Sequence, residues 1–187
     1  MLHQMKKLGI DALVLERGTG LGGTWYWNRY PGARFDSESY SYGYSFDQEI
    51  LAEWDWSEHF AAQPETLRYL NYVTDKLSIR EQMLFECNVT GASFDDAENV
   101  WTVTLEDGRV FQSTFLLTAI GMLSAATMPT IPGVEQFKGQ AFHTYYWPKE
   151  EVELKGKKVA VIGTGATGVQ VIGAIAPIVD SLTVYQR

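Results

Sequence analysis

Three glycines near the end of the chain have the spacing of a phosphate-binding turn. They lie between Gly163 and Gly168 (GTGATG), after an apolar strand pattern and before a helix pattern. In such a turn the first glycine permits a tight bend, the second lets the backbone approach a pyrophosphate, and the third lets helix and strand pack closely. Amide groups at the start of the helix then face the phosphate charge. The sequence therefore predicts a dinucleotide site; the alternative is a glycine-rich turn without a ligand.

The end of the strand that follows this helix indicates which dinucleotide fits. An acidic side chain there accepts hydrogen bonds from a ribose 2′-hydroxyl, whereas an arginine accommodates a 2′-phosphate. The chain has Gln186–Arg187 at this place, which favours NADPH over NADH. The alternative is that Arg187 is an ordinary surface arginine.

A second nucleotide pattern stands at the start of the chain. Val14–Leu15–Glu16 is an apolar strand that ends in a carboxylate, as the ribose of a non-phosphorylated dinucleotide such as FAD requires. The matching glycine motif should lie about 20 residues before this acid, but only Met1 to Leu15 precede Glu16. We therefore expect the chain to begin inside the first helix of a dinucleotide fold. The alternative is that Glu16 is an ordinary surface acid.

The composition indicates a globular protein with small-molecule partners. The chain has 187 residues, of which 45% are hydrophobic, enough to bury a core. Its net charge of −8 and the lack of a Lys/Arg cluster argue against binding to nucleic acid or an anionic membrane. The lone cysteine, Cys87, and the absence of a membrane-spanning apolar run favour a soluble cytoplasmic protein. No residues have the spacing of metal ligands.

The patterning between the two nucleotide motifs is that of an α/β protein. A helix is predicted to open at Pro64, and its buried stripe would consist of Leu67, Leu70, Val73 and Leu77. The runs Val100–Leu105 and Val110–Phe111 flank a turn and predict an antiparallel hairpin. The apolar run Phe115–Ile120 predicts a strand buried on both faces.

The last part of the chain predicts a complete βαβ unit around the glycine turn. Its parts are a strand at Val159–Ile162, a helix from Ala166 to about Ala176 and a strand at Leu182–Tyr185. Together with the strand that ends at Glu16, this unit predicts two dinucleotide-binding folds of the Rossmann type in one chain. We expect three-layer α/β folds, both incomplete, with a small antiparallel β insertion.

An aromatic loop after Glu16 resembles a known family. Residues 22–34 (GGTWYWNRYPGAR) place many large rings in an irregular segment, and such loops line a ligand or cap a core. Residue after residue, this run resembles the FAD-contacting segment of Baeyer–Villiger monooxygenases. The resemblance covers essentially the whole chain, with two departures. Phe35 stands where the family commonly has cysteine, and Ala125–Ala126 stand where a proline is usual.

A second segment carries the same resemblance. Residues 137–148 (FKGQAFHTYYWP) fit the family pattern F-x-G-x-x-x-H-x-x-x-W-P at every fixed position. Related flavin monooxygenases that oxidise nitrogen or sulfur typically lack the Trp-Pro ending, so Trp147–Pro148 favour the ketone-oxidising branch. The resemblance places His143 in a linker between two nucleotide domains and implies that it couples cofactor binding to domain movement.

The resemblance implies an FAD- and NADPH-dependent monooxygenase that uses molecular oxygen to convert a ketone into an ester or lactone. It implies a partial FAD-binding domain at 1–130, a linker at 131–156 and the start of an NADPH-binding domain at 157–187. Asp36 matches the aspartate that holds a catalytic arginine, which we expect beyond this chain; the alternative is that Asp36 caps a turn. By itself this fragment is expected to be inactive.

The candidate cofactor residues follow from the nucleotide-binding motifs and from the family resemblance. For FAD they are Glu16, Gly22, Gly23, Thr24, Trp25, Asp36, Tyr42 and Val89. For NADPH they are Gly163, Thr164, Gly165, Ala166, Thr167, Gly168, Gln170 and Arg187. Two other functions stay open: a flavin monooxygenase that acts on nitrogen or sulfur, and a non-catalytic fragment that binds nucleotide weakly or not at all.

Overall fold

The computed structural model describes residues 1–186, so the predicted ribose residue Arg187 lies outside the described residues. The described α-helices are α1 (Leu2–Lys7), α2 (Thr24–Trp27), α3 (Ser39–Tyr42), α4 (Gln48–Glu53), α5 (Gln63–Lys76) and α6 (Ala166–Ile175). Short 3-10 helices span Arg80–Gln82, Val134–Gln136 and Thr144–Tyr146. The described strands are β1 (Val14–Leu15), β2 (Met83–Leu84), β3 (Val89–Asp95), β4 (Val100–Leu105), β5 (Val110–Ser113), β6 (Lys158–Ile162) and β7 (Ser181–Tyr185).

The chain forms two compact units, each made of two separate segments. The first unit joins Met1–Tyr26 to Leu70–Ser124, and the second joins Trp27–Tyr69 to the residues from Ala125 onward. Residues 27–69, which the sequence assigns to the FAD-binding part, therefore group by contacts with the βαβ unit. The functional division at residues 130 and 156 stays a prediction.

The first unit contains a short parallel pair and a small antiparallel sheet. Strands β1 and β2 run parallel, with Val14 opposite Met83 and Leu15 opposite Leu84. Strands β3, β4 and β5 form an antiparallel sheet in that order, which confirms the predicted hairpin. In β4, Val103 and Leu105 are buried and Thr104 between them is exposed. This is the pattern of a strand whose successive side chains point to opposite faces of the sheet.

The prediction of a buried strand at residues 115–120 is wrong for the part of the chain that the structure describes. No regular structure forms there, and Phe115 and Ile120 are 82% and 77% exposed. An apolar run becomes a buried strand only where neighbouring strands pair with it and helices cover both faces. Among residues 1–186 no strand lies alongside this run, so all of its side chains except that of the half-buried Leu116 are exposed.

Helix α5 begins at Gln63, one residue before the predicted proline, and its buried face differs from the expected stripe. Val73 is buried as predicted, whereas Leu67, Leu70 and Leu77 are only half-buried. The most buried side chains are Thr66 and Tyr69. Tyr69 packs among other aromatic rings, with the ring centroid of Trp56 4.8 Å away. Burial raises the pKa of the Tyr69 phenol, whose oxygen accepts a hydrogen bond from the Tyr44 amide at 2.7 Å.

The second unit contains the predicted βαβ arrangement. Strands β6 and β7 run parallel, from Lys158 opposite Ser181 to Ile162 opposite Tyr185, and α6 connects them. The core of this unit is built from Tyr30, Ala33, Val171 and Ile175. Tyr30 and Ala33 of the aromatic loop thus pack on the same helix that starts at the glycine turn. No helix within residues 1–186 is long and apolar enough to cross a membrane.

Truncation of Ile175 tests this core. Ile175 is 1% exposed and lies in the cluster between α6 and the aromatic loop. We expect Ile175→Ala to lower the free energy of unfolding by about 2–5 kcal/mol, because the change removes buried methyl groups and leaves a cavity. Val169→Ala on the same helix, where the side chain is 59% exposed, should change it by less than about 0.5 kcal/mol. Equal losses in urea denaturation of the two variants would contradict this packing.

Candidate functional site

The glycine turn before α6 has the geometry that a bound pyrophosphate needs. Gly163 has a φ of +107°, which a residue with a side chain rarely adopts. A Cβ on Gly168 would lie 2.4 Å from the carbonyl oxygen of Gly163, so only glycine lets the helix approach the turn. A Cβ on Gly165 would meet no atom within 4 Å, so the space over the second glycine is open. The backbone at each glycine is therefore compatible with the role that the sequence pattern predicts, and the assignment of residues 163–168 to NADPH stays a prediction.

The start of α6 leaves backbone amides available to an anion. The N-cap is Gly165, and no side chain forms a capping hydrogen bond there. The first turn also contains no acidic residue that would repel a phosphate. Because the first amides of a helix have no partner within the helix, they can donate to phosphate oxygens. The residues present therefore fit a dinucleotide pyrophosphate.

In the first unit, the structure fixes Glu16 directly after β1. Its amide donates to the carbonyl of Leu84 at 2.8 Å, and its carbonyl accepts from the amide of Cys87 at 2.9 Å. One carboxylate oxygen, Oε1, accepts from the amide of Gly18 at 2.7 Å. A half-buried carboxylate held in this way is preorganised, and its second oxygen can accept from ribose hydroxyls.

The other predicted FAD residues of the first unit lie in a turn and a strand. Gly22 and Gly23 both have positive φ angles, +124° and +51°. The amide of Trp25 donates to the carbonyl of Gly22 at 2.9 Å, so the turn leads directly into α2. Val89 lies at the start of β3 and is 44% exposed. The assignments of Gly22, Gly23, Thr24, Trp25 and Val89 to FAD stay predictions.

Asp36 and Tyr42 lie in the second unit, where Tyr42 forms an aromatic stack with Phe35, the residue before Asp36. The ring of Phe35 stacks on that of Tyr42 at a centroid distance of 4.2 Å, and Trp56 meets Phe35 edge-on at 5.8 Å. Phe35, which stands where the family commonly has cysteine, is 5% exposed. Its ring therefore fills the interior of an aromatic cluster. Asp36 is exposed, and its Oδ1 accepts a hydrogen bond from Nε2 of Gln170 at 3.1 Å.

The predicted NADPH residue Gln170 uses its side chain within the protein. Its Oε1 accepts from the hydroxyl of Tyr30 at 2.9 Å and from the amide of Arg34 at 3.3 Å. Its Nε2 donates to the carbonyl of Arg34 at 2.9 Å and to Asp36. Four hydrogen bonds are the full capacity of a carboxamide. Direct binding of nucleotide by this side chain would require one of them to break.

In the segment at residues 137–148, which fits the family pattern, two of the fixed positions, His143 and Trp147, have a structural explanation. A Cβ on Gly139 would lie 2.5 Å from the ring of Phe137, but this ring is 62% exposed and can rotate away, so the contact does not explain the glycine. Nδ1 of His143 accepts from the amide of Tyr145 at 3.1 Å and caps a short 3-10 helix. Trp147 packs against the core of the second unit. The role of His143 in domain movement stays a prediction.

Two residues of the aromatic loop matter more than the sequence indicated. Tyr30 is 8% exposed and joins the core beside α6. Gly32 has a φ of +80°, and a Cβ there would lie 2.5 Å from the carbonyl oxygen of Gln170. The Pro31–Gly32 pair is a turn signal that could have identified this position. Nothing in the local sequence indicates that the turn rests on a helix more than 130 residues away.

Known proteins resemble this chain over its whole described length. The family model of pyridine nucleotide-disulphide oxidoreductases matches residues 1–186. The acetone monooxygenase (methyl acetate-forming) of Gordonia sp. (strain TY-5) is 48% identical over 186 residues, which is 100% of this chain and 35% of that protein. The phenazine N-monooxygenase of Lysobacter antibioticus is 44% identical over 188 residues, again 100% of this chain and 35% of that protein.

A solved structure supports the fold. A crystal structure of OTEMO in complex with FAD and NADP matches with a TM-score of 0.93 and 46% identity, over 100% of this chain and 36% of that chain. This match confirms the predicted α/β nucleotide-binding fold with its small antiparallel sheet. The chain spans about a third of the length of the curated relatives it matches. These findings confirm the resemblance to Baeyer–Villiger monooxygenases, and the chain belongs to the pyridine nucleotide-disulphide oxidoreductase family.

Proposed function

We propose that this chain binds FAD and NADPH as part of a flavin monooxygenase that inserts an oxygen atom beside a ketone carbonyl. The observation that carries the proposal is the glycine turn of the second unit, where Gly163 and Gly168 are sterically required and Gly165 is open. An open second glycine at a helix start is the feature that a pyrophosphate uses. The Gordonia relative forms methyl acetate, an ester, from acetone, which is the same class of oxidation.

The residues of this chain bind and orient the cofactors in this proposal. The amides at the start of α6 bind the NADPH pyrophosphate, and Arg187 contacts its 2′-phosphate. Glu16 accepts hydrogen bonds from the FAD ribose. When bound, the flavin supplies the redox chemistry, while the protein supplies position, charge and exclusion of water. Asp36 orients a cation that stabilises negative charge developing on the substrate.

The first test asks whether the purified protein carries flavin. We expect a yellow protein whose FAD affinity falls about tenfold to a hundredfold in Glu16→Ala, because charge-assisted hydrogen bonds to the ribose are lost. The matched control is Glu98→Ala, an exposed acid of the first unit after β3, which should leave FAD binding unchanged. A colourless wild-type protein that does not bind added FAD would refute the proposal and favour a non-catalytic fragment.

The second test asks which atom is oxidised. The purified protein is incubated with NADPH, oxygen and either a small ketone or a thioether, and the products are identified by mass spectrometry. Ester or lactone formation supports the proposal. The 44% identity to a phenazine N-monooxygenase is the reason to test the alternative, a nitrogen- or sulfur-oxidising enzyme. Oxidation of the thioether or of an aromatic amine without any ester product would establish that alternative.

The proposal also covers the cellular compartment of the protein and the class of ketone that it oxidises. The sequence predicts a cytoplasmic protein, and this compartment stays a prediction. A cytoplasmic location fits the supply of NADPH and the free thiol of Cys87, which is buried in the first unit. The substrate is proposed only as a small ketone, by the chemistry that the Gordonia relative performs.

A further inference from the structure

Gln170 connects the nucleotide-binding helix to Asp36. It lies on α6 two residues after Gly168, the third glycine of the turn. Its side chain contacts Tyr30 and Arg34 of the aromatic loop, and Asp36 just after it, through four hydrogen bonds between 2.9 and 3.3 Å long. The backbone of the same residue is also in close contact with the loop, at Gly32. Helix α6 and the loop are therefore joined at one residue by both its main chain and its side chain.

The two ends of the Gln170 carboxamide form hydrogen bonds with different groups. Oε1 accepts hydrogen bonds from the hydroxyl of Tyr30 and the amide of Arg34, which anchor the loop. Nε2 donates to the carbonyl of Arg34 and to Oδ1 of Asp36. Asp36 has no other hydrogen bond among the described residues that fixes its carboxylate. The direction of the Asp36 side chain therefore depends on the donor end of Gln170.

We propose that Gln170 is a positioning residue that holds the Asp36 carboxylate on helix α6 and does not itself bind NADPH. The inference rests on the proposed function, because it assigns Asp36 its task there. Gln170 lies four residues, about one helical turn, beyond Ala166, the first residue of α6, so its side chain reaches Asp36 from the first part of that helix.

The substitution Gln170→Glu tests the donor end alone. A glutamate keeps an acceptor for Tyr30 and the Arg34 amide, but it cannot donate and places a second carboxylate beside Asp36. We expect kcat to fall about tenfold, while the Kd for NADP+, measured by calorimetry, changes less than about twofold. The control is Tyr30→Phe, which removes a partner of Oε1 and leaves the bond to Asp36. Its kcat should stay within about twofold of the wild type.

A second measurement does not depend on activity. Urea unfolding of the cofactor-free full chain is compared for the wild type, Gln170→Glu, Asp36→Ala and the double variant. If the two side chains interact, Gln170→Glu should reduce the folding equilibrium constant at least about fivefold less in the Asp36→Ala background than in the wild type. Equal reductions in both backgrounds would show that Gln170 does not hold Asp36 and would overturn the proposal.

The outcomes separate this inference from the proposed function. A rise of tenfold or more in the Kd for NADP+ of Gln170→Glu, with kcat unchanged, would overturn the inference and make Gln170 a nucleotide ligand. Equal losses of kcat in Gln170→Glu and Tyr30→Phe would overturn it in favour of simple loop anchoring. A wild-type protein that oxidises no ketone would refute the proposed function, and the unfolding cycle would still decide whether Gln170 holds Asp36.

Discussion

Replacement of Gly168 by alanine is expected to destabilise the second unit and to weaken NADP+ binding about tenfold. A Cβ at this position would lie 2.4 Å from the carbonyl oxygen of Gly163, far inside van der Waals contact. That oxygen belongs to the backbone of the tight turn, so it cannot rotate away as a flexible side chain would. Helix α6 must move off the turn, at a cost of about 1–3 kcal/mol. The movement displaces the amides that would hold the pyrophosphate.

The control lies in the same helix. Gly173 is exposed, and a Cβ there would meet no atom within 4 Å. Gly173→Ala should therefore stabilise the protein by about 0.5–1 kcal/mol, because alanine loses less backbone freedom than glycine when a helix forms. Thermal unfolding and calorimetric titration with NADP+ measure both effects. If the two alanine variants shift the melting temperature in the same direction, the close contact between helix and turn is not present in solution.

The βαβ unit could be predicted from sequence because its determinants are local. Alternating and continuous apolar runs define β6, α6 and β7, and glycines appear where the turn between β6 and α6 needs them. The antiparallel hairpin of β4 and β5 was predictable for the same reason, since Glu106–Gly108 is a turn signal between two strand patterns. In both cases the residues that specify the element are contained in it or next to it.

The features that could not be predicted depend on partners distant in sequence. The run Phe115–Ile120 has the composition of a buried strand, but whether it is buried depends on neighbours that its own residues do not specify. Gln170 lies next to a phosphate-binding motif, and nothing in its local sequence indicates that hydrogen-bond partners of its side chain lie 134 to 140 residues earlier. Burial and side-chain direction are properties of the assembled fold, so the local pattern cannot determine them.

The aromatic loop has a structural role that its composition alone does not indicate. Rings in loops line a ligand or cap a core, and here Tyr30 belongs to the core under α6 while Phe35 stacks on Tyr42. The loop thereby places Asp36 at a fixed point beside the helix that starts at the glycine turn. Changes that separate loop and helix should therefore affect stability and the orientation of Asp36 together.

Gly32→Ala is the substitution that we expect to disrupt the contact between the aromatic loop and α6 most strongly. Gly32 has a φ of +80°, and a Cβ there would lie 2.5 Å from the backbone oxygen of Gln170 and 2.9 Å from Cβ of Ala174. The left-handed conformation costs an alanine about 1–2 kcal/mol, and relief of the overlap costs about 1–3 kcal/mol more. We expect urea denaturation to show a loss of about 3 kcal/mol or more in the free energy of unfolding, with a lower kcat for ketone oxidation.

Gly133→Ala distinguishes the two contributions because it imposes the same backbone conformation without the overlap. Gly133 has a φ of +82°, and a Cβ there would meet only the side chain of Gln136, at 3.9 Å. This variant should lose only the cost of the left-handed conformation, about 1–2 kcal/mol. The difference between the two variants then measures the contact between loop and helix. If Gly32→Ala is no more destabilising than Gly133→Ala, the loop does not rest on α6, and the hydrogen bonds of Gln170 cannot position Asp36.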